Sequence, residues 1–182
     1  MSAIQRAIHN LSVNEPVDAE LSGEVAREIL EGSATPAQIG AFLVALRIRG
    51  ERPEHLGAFV RAMRDYVTPV EVPHRERLVD TCGTGGDHSG TFNISTAAAI
   101  VAAGAGAKIA KHGNRAVTSK PGSGSADVLA ALGVRIECPP EVSVRCLDTC
   151  GLAFFFAPAY HGAMRHAGPA RREIGVSSIL NL

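Results

Sequence analysis

Apolar residues over 1–70 recur at the spacing of helices that bury one face. Ile39, Phe42, Leu43 and Leu46 follow the i, i+3, i+4, i+7 rule. Punctuation brackets that run: Thr35, Pro36 and Gln38 make a capping box with proline at the first helical position, and Gly50 marks the end. Leu56, Phe59, Val60 and Met63 repeat the spacing, and upstream Ser22 is placed to cap a helix that carries Val25 and Ile29 and stops at Gly32. Short helices with one apolar face are not stable alone. They must pack on one another, on a sheet or on a second copy of the chain.

Past a proline- and charge-bearing link at 69–77 the period changes. Short apolar runs predict strands over 78–82, 107–110, 134–138 and 152–156. Between them, helices are predicted over 96–103, over 126–132 with Ser125 as cap and Gly133 as stop, and over 141–150. This order implies an α/β fold, in which an N-terminal all-helical subdomain, 1–70, precedes a mostly parallel sheet with helices on its faces, 76–182.

The first two strand-to-helix junctions carry the chemistry. Gly83, Gly85 and Gly86 follow the first strand and lead into the helix near Ser95, which is the grammar of a phosphate-binding loop. Glycines allow close backbone approach, and a helix N-terminus favours an anion. The loop is neither GxGxxG, because His88 stands where the third glycine would be, nor a GxxxxGK[ST] loop. A second loop after the next strand adds Lys111, His112, Asn114, Arg115, Thr118 and Ser119 at the same sheet edge, where open α/β sheets bind ligands.

Composition narrows the classes. Lys and Arg number 18 against 18 Asp and Glu, so no net field favours nucleic acid or an anionic membrane. No apolar run is long enough to span a bilayer and the start has no secretory core, which points to the cytoplasm. The four cysteines lack CxxC spacing and are expected to be buried free thiols rather than a Cys138/Cys146/Cys150 metal site. Cys82 reads as small apolar filler with no general base beside it.

GTGGD at 83–87, TFNIST at 91–96, KHGN at 111–114 and GSADVL at 124–129, in this order and spacing, closely resemble the anthranilate phosphoribosyltransferase family, which is related to the pyrimidine nucleoside phosphorylases. The resemblance runs through essentially the whole chain but covers roughly the first half of the family's usual length. It implies transfer of the phosphoribosyl group of phosphoribosyl diphosphate to the amine of anthranilate, with Mg2+. By motif, phosphoribosyl diphosphate falls to Gly83, Gly86, Asp87 and Thr91, to Asn93, Ile94, Ser95 and Thr96, to Lys111, His112, Gly113, Asn114 and Arg115, and to Ala116, Val117, Thr118, Ser119 and Ser125. The family's metal-ligating hydroxyl matches Ser95, and its anthranilate contacts match Gly83, Asn114 and Arg171, the last placed by position after His161 in FAPAYHGAM. The N-terminal helices imply a homodimer. His112 reads as a wall or hydrogen-bond donor rather than a general base.

Two departures qualify the match. TSKPGSGSADVL is two residues longer than the family's usual loop, so its serine maps to Ser125 by motif and to Ser123 by ungapped counting. The chain also ends at Leu182, where the family continues to an Asp-Glu pair that holds Mg2+. The chain by itself is therefore expected to bind phosphoribosyl diphosphate weakly and turn over little. A nucleoside phosphorylase and a non-catalytic helical dimerisation module are the other readings.

Overall fold

A computed structural model of the chain describes residues 1–83, 91–116 and 124–181. Packing divides them into two units, Met1–Val67 with His161–Leu182, and Thr68–Tyr160.

In the first unit, α1 (Ala3–Ser12) opens on a capping box from Ser2 and Gln5. The Glu28 carboxylate of α2 (Ala19–Glu31) also accepts the Ala3 and Ile4 N–H groups, at 2.6 and 3.0 Å. α2 starts at Asp18 rather than at the expected Ser22, because the Asp18 carboxylate takes the Leu21 N–H at 2.8 Å and adds a turn. Ser22 lies instead inside the helix, buried, donating back to the Asp18 carbonyl at 2.7 Å. Gly32 ends α2 with φ 76°, and a Cβ there would meet the His166 ring at 2.6 Å.

α3 (Pro36–Arg49) realises the predicted box: Thr35 N–H donates to Gln38 Oε1 at 2.8 Å and Gln38 N–H to Thr35 Oγ1 at 3.2 Å. Ile39, Phe42, Leu43 and Leu46 are fully buried, and Phe42 stacks on Phe59 of α4 (Pro53–Asp65), ring centroids 6.1 Å apart. The inward positions of α4 are His55, Ala58, Phe59 and Ala62, so Val60 faces out. His55 is a polar residue that the apolar pattern passes over. Its Nδ1 accepts the Arg52 N–H at 3.2 Å and its Nε2 donates to the Val17 carbonyl at 2.8 Å.

The same core takes in Ala167, Ala170 and Ile179, with α9 (Gly168–Ile174) against α3. Packing thus divides the chain differently from the expected 1–70 and 76–182, because the apolar positions of 161–182 complete the helical core.

The second unit holds three parallel strands in the order β1 (Leu78–Val79), β2 (Lys108–Gly113), β3 (Leu152–Phe156). Around them are α5 (Ile94–Gly104), α6 (Ser125–Ala131), α7 (Pro140–Cys150) and α8 (Ala157–Tyr160). β1 is shorter than the predicted 78–82. Asp80 Oδ1 accepts the backbone N–H of both His112 and Cys82, at 3.2 and 2.9 Å, so a side chain takes over from the ladder. β2 is longer than predicted because β3 pairs with it as far as Gly113 opposite Phe156, which makes Lys111 and His112 strand residues rather than loop residues.

The predicted strand 134–138 is absent. Ile136 is buried with Ala126, Leu129 and Phe156, so the alternation recorded burial of one face without a strand partner. Ser125 is the first helical residue of α6 rather than its cap, since the Asp127 carboxylate performs the capping on Gly124 N–H at 3.1 Å. Among the described residues, no helix is long and apolar enough to cross a membrane.

Candidate active site

Three segments converge on Ser95, in the first turn of α5. Thr81, just past β1, donates to the Ser95 carbonyl at 2.7 Å, and Lys111 of β2 directs its ammonium to Ser95 Oγ at 3.3 Å. Alternation along β2 sends Ile109, Lys111 and Gly113 to its buried face. Lys111 is 2% exposed, yet among the described residues no carboxylate pairs with it. A buried ammonium whose nearest partner is a neutral hydroxyl is poorly compensated. Placed at the start of a helix, that arrangement suits an incoming anion.

The rest of the predicted set divides by what holds it. Gly83 is exposed at the loop entrance, and a Cβ there would meet nothing within 4 Å. Thr91, Asn93, Ile94, Ser95 and Thr96 form the entry and first turn of α5, where Thr96 and Ala97 N–H groups donate to the Asn93 carbonyl at 3.0 Å. Thr96 Oγ1 is buried without a hydrogen-bond partner among the described residues. Gly86, Asp87, Val117, Thr118, Ser119 and the alternative Ser123 lie outside the described residues.

Beyond β2, Asn114 accepts the Arg115 N–H on its side chain at 2.7 Å and the Ala126 N–H on its carbonyl at 3.2 Å. Arg115 and Ala116, both expected to face the ligand, are also engaged by Asp127. The guanidinium pairs with Asp127 at 3.2 Å and lies 5.8 Å from the Phe156 ring centre, while Ala116 N–H donates to Asp127 at 3.0 Å. The Ala116 bond, then Arg115 and the Gly124 N–H, hold the Asp127 carboxyl below its usual range against a smaller opposing effect of burial. Sequence reasoning passed over Asp127 as a cap, although an acid three residues past a glycine at a helix start is itself a capping signal.

The turn is tightly closed. A Cβ at Gly113 would collide with Ser125 Oγ and the Phe154 ring, and one at Gly124 with Ala116 N, Arg115 C and Asn114 O. Arg171, on α9 of the helical unit, is half-buried. Burial pushes its pKa down, and its Nε is buried without a partner among the described residues.

The expectation of buried thiols is not met. Cys82 and Cys150 are exposed, and Cys138 and Cys146 are half-exposed, all free. Nor does Cys82 lack a base beside it, since its Sγ lies 3.6 Å from His112 Nδ1, a proximity between residues thirty apart that no linear spacing announces. Desolvation, and secondarily Asp80, push the thiol pKa up, with Lys111 opposing.

A parallel sheet with a buried ammonium and hydroxyl groups at its strand-to-helix junctions, in a chain that also carries a helical unit, defines a two-unit α/β protein with a site suited to an anion. Residues 75–182 match the glycosyl transferase family a/b domain and residues 2–67 the same family's helical bundle domain, and the chain belongs to that family. Within it, the chain is 51% identical over 179 residues to an anthranilate phosphoribosyltransferase of Herpetosiphon aurantiacus, covering 98% of this chain and 52% of that one. The crystal structure of the Thermus thermophilus anthranilate phosphoribosyltransferase superposes with a TM-score of 0.85 at 45% identity, over 100% of this chain and 53% of the other. The Saccharomyces cerevisiae enzyme in complex with phosphoribosyl diphosphate and Mg superposes with a TM-score of 0.85 at 27% identity, over 98% and 53%. The chain spans about half the length of these relatives.

Proposed function

We propose that the chain provides the phosphoribosyl diphosphate-binding part of an anthranilate phosphoribosyltransferase of tryptophan biosynthesis. The observation that carries this is Lys111, a buried ammonium without a carboxylate partner among the described residues, held at the first turn of α5. In the reaction the anthranilate nitrogen forms a bond to C1 of the sugar. The C1–O bond breaks with its electron pair leaving on diphosphate, and the nitrogen proton passes to solvent. Positive charge grows on the sugar while negative charge grows on the leaving group, so oriented cationic and hydrogen-bonding groups supply the stabilisation. Lys111 and the start of α5 serve the diphosphate. For anthranilate, Gly83, Asn114 and Arg171 follow from the family resemblance, and the Arg171 Nε–H, without a partner among the described residues, suits a carboxylate.

Mg2+ neutralises the departing diphosphate when bound. Ser95 offers it one hydroxyl, which here accepts from Lys111, whereas the ion requires about six oxygens. The described residues therefore fit Mg2+ only as a partial shell, to be completed by ligand oxygens and water. A homodimer is also proposed. Leu43, Leu46 and Phe59 are already buried within their own unit, so the contact would use outward residues such as Ile48 and Val60, and sedimentation of Ile48→Glu should show the monomer. The cytoplasm is the proposed compartment, in keeping with four free cysteines.

Calorimetric titration with phosphoribosyl diphosphate tests the assignment. Lys111→Met keeps the buried stem and removes the charge, and a charge-assisted bond is worth about 1.5–3 kcal/mol, so affinity should fall about 10–100-fold. Gly83→Val, with open space around the added side chain, should impair binding without unfolding. Unchanged affinity in Lys111→Met would remove the ammonium from the site. Loss of anthranilate fluorescence on adding phosphoribosyl diphosphate and Mg2+ reads turnover directly.

A further inference from the structure

At the rim of the same junction, three side chains of different chemistry face a common point. One ligand atom each from Asp80, Cys82 and His112 lies within 4.8 Å of the other two. We propose that these residues form a binding site for a thiophilic divalent cation of the Zn2+ class, distinct from the Mg2+ reading above.

The geometry is that of a tetrahedral ion. With about 2.3 Å to a thiolate sulfur and about 2.05 Å to an imidazole nitrogen, such an ion holds the two atoms about 3.6 Å apart. Cys82 Sγ and His112 Nδ1 are 3.6 Å apart. The ligands are already oriented from behind. Asp80 Oδ1 accepts the His112 and Cys82 N–H groups, which fixes the backbone of both partners and leaves the second carboxylate oxygen for the ion. Carboxylate and thiolate together neutralise a divalent charge, which leaves no net positive charge at the site to repel the nearby Lys111 ammonium. On binding, the ion replaces the thiol proton, which passes to solvent, and a metal on Nδ1 leaves the ring proton on Nε2.

Three protein ligands leave the fourth tetrahedral position open to water or an anionic oxygen. The sulfur selects against Mg2+, a hard cation that takes oxygen ligands. The ion would tie the segment after β1 to β2, fixing the entrance of the glycine loop. The ion would be taken up without phosphoribosyl diphosphate, so its binding is independent of the substrate assigned above.

The test uses the whole chain with Zn2+ in competition with a chromophoric chelator, and Co2+ as a spectroscopic substitute. The wild type should bind one equivalent of Zn2+ and give a thiolate-to-Co2+ charge-transfer band in the near ultraviolet. Because outer-shell partners alone are worth about 10–100-fold in metal affinity, losing a ligand in Cys82→Ser or His112→Asn should weaken Zn2+ by at least about 100-fold and remove or shift the band. Cys138→Ser should change neither, and circular dichroism confirms that each variant is folded. A band and affinity that survive Cys82→Ser, or no uptake by the wild type at micromolar Zn2+, overturn the proposal and reduce the contact to a thiol–imidazole hydrogen bond.

Discussion

Single residues at the β2–α6 turn show how one carboxylate organises a loop. Asp127 gathers Ala116 N–H, Gly124 N–H and the Arg115 guanidinium, and its carboxyl is held below the ordinary range chiefly by the Ala116 bond. The linkage has a definite sign. The native carboxyl binds a proton less tightly than the unfolded one, so its contribution is fully present above the unfolded pKa of about 3.9 and is lost as pH falls toward the depressed native value. The stability difference between wild type and Asp127→Asn should therefore be flat above about pH 5 and shrink below about pH 4. Urea denaturation at a series of pH values measures it, and a difference that grows on acidification would contradict the assignment.

Among the elements, helix starts depend on partners both near and far in sequence. The Thr35–Gln38 box is local, four residues long, and was legible because both donors and both acceptors lie within one turn. The start of α1 also takes a carboxylate from another helix, Glu28 of α2, which no window around residue 3 contains. Removing it in Glu28→Ala should cost about 1–3 kcal/mol, the range for caps and charged hydrogen bonds, with Glu28→Gln losing less. Denaturant titration gives the magnitude. Hydrogen exchange should locate the loss at Ala3 and Ile4, and unchanged protection there would mean that Ser2 alone suffices.

Across the whole molecule, the two units differ in what they bury. The helical unit encloses Ile4, Val25, Ile29, Ile39, Phe42, Leu43 and Leu46, among others, whereas the buried cluster of the α/β unit comprises Ala126, Leu129, Ile136 and Phe156 among the described residues. Ile94, Ile100, Val101 and Leu132 of that second unit remain 46–72% exposed. Hydrophobic stabilisation scales with the apolar area removed from water. Native-state hydrogen exchange should accordingly show the amides of α2, α3 and α4 protected to higher opening free energies than those of α5 and α6. Equal protection across both units would show that they unfold as one.

Sequence by itself determined which segments are helical near residues 25–63, the parallel α/β order, the helix start near Ser95 and the family. Each of these is written in local periodicity, caps or contiguous motifs. Tertiary structure alone decided what depends on partners far apart in the chain. Asp80 shortened β1 by bonding to His112, and pairing with β3 turned Lys111 and His112 into strand residues. Asp127 tied Arg115 and Ala116 to the start of α6, and the segment 161–182 joined the helical core rather than the sheet. The physical reason is common to all four. A hydrogen-bond acceptor or an apolar face is visible in one residue or one turn, but which donor or core satisfies it is settled only when the chain has folded.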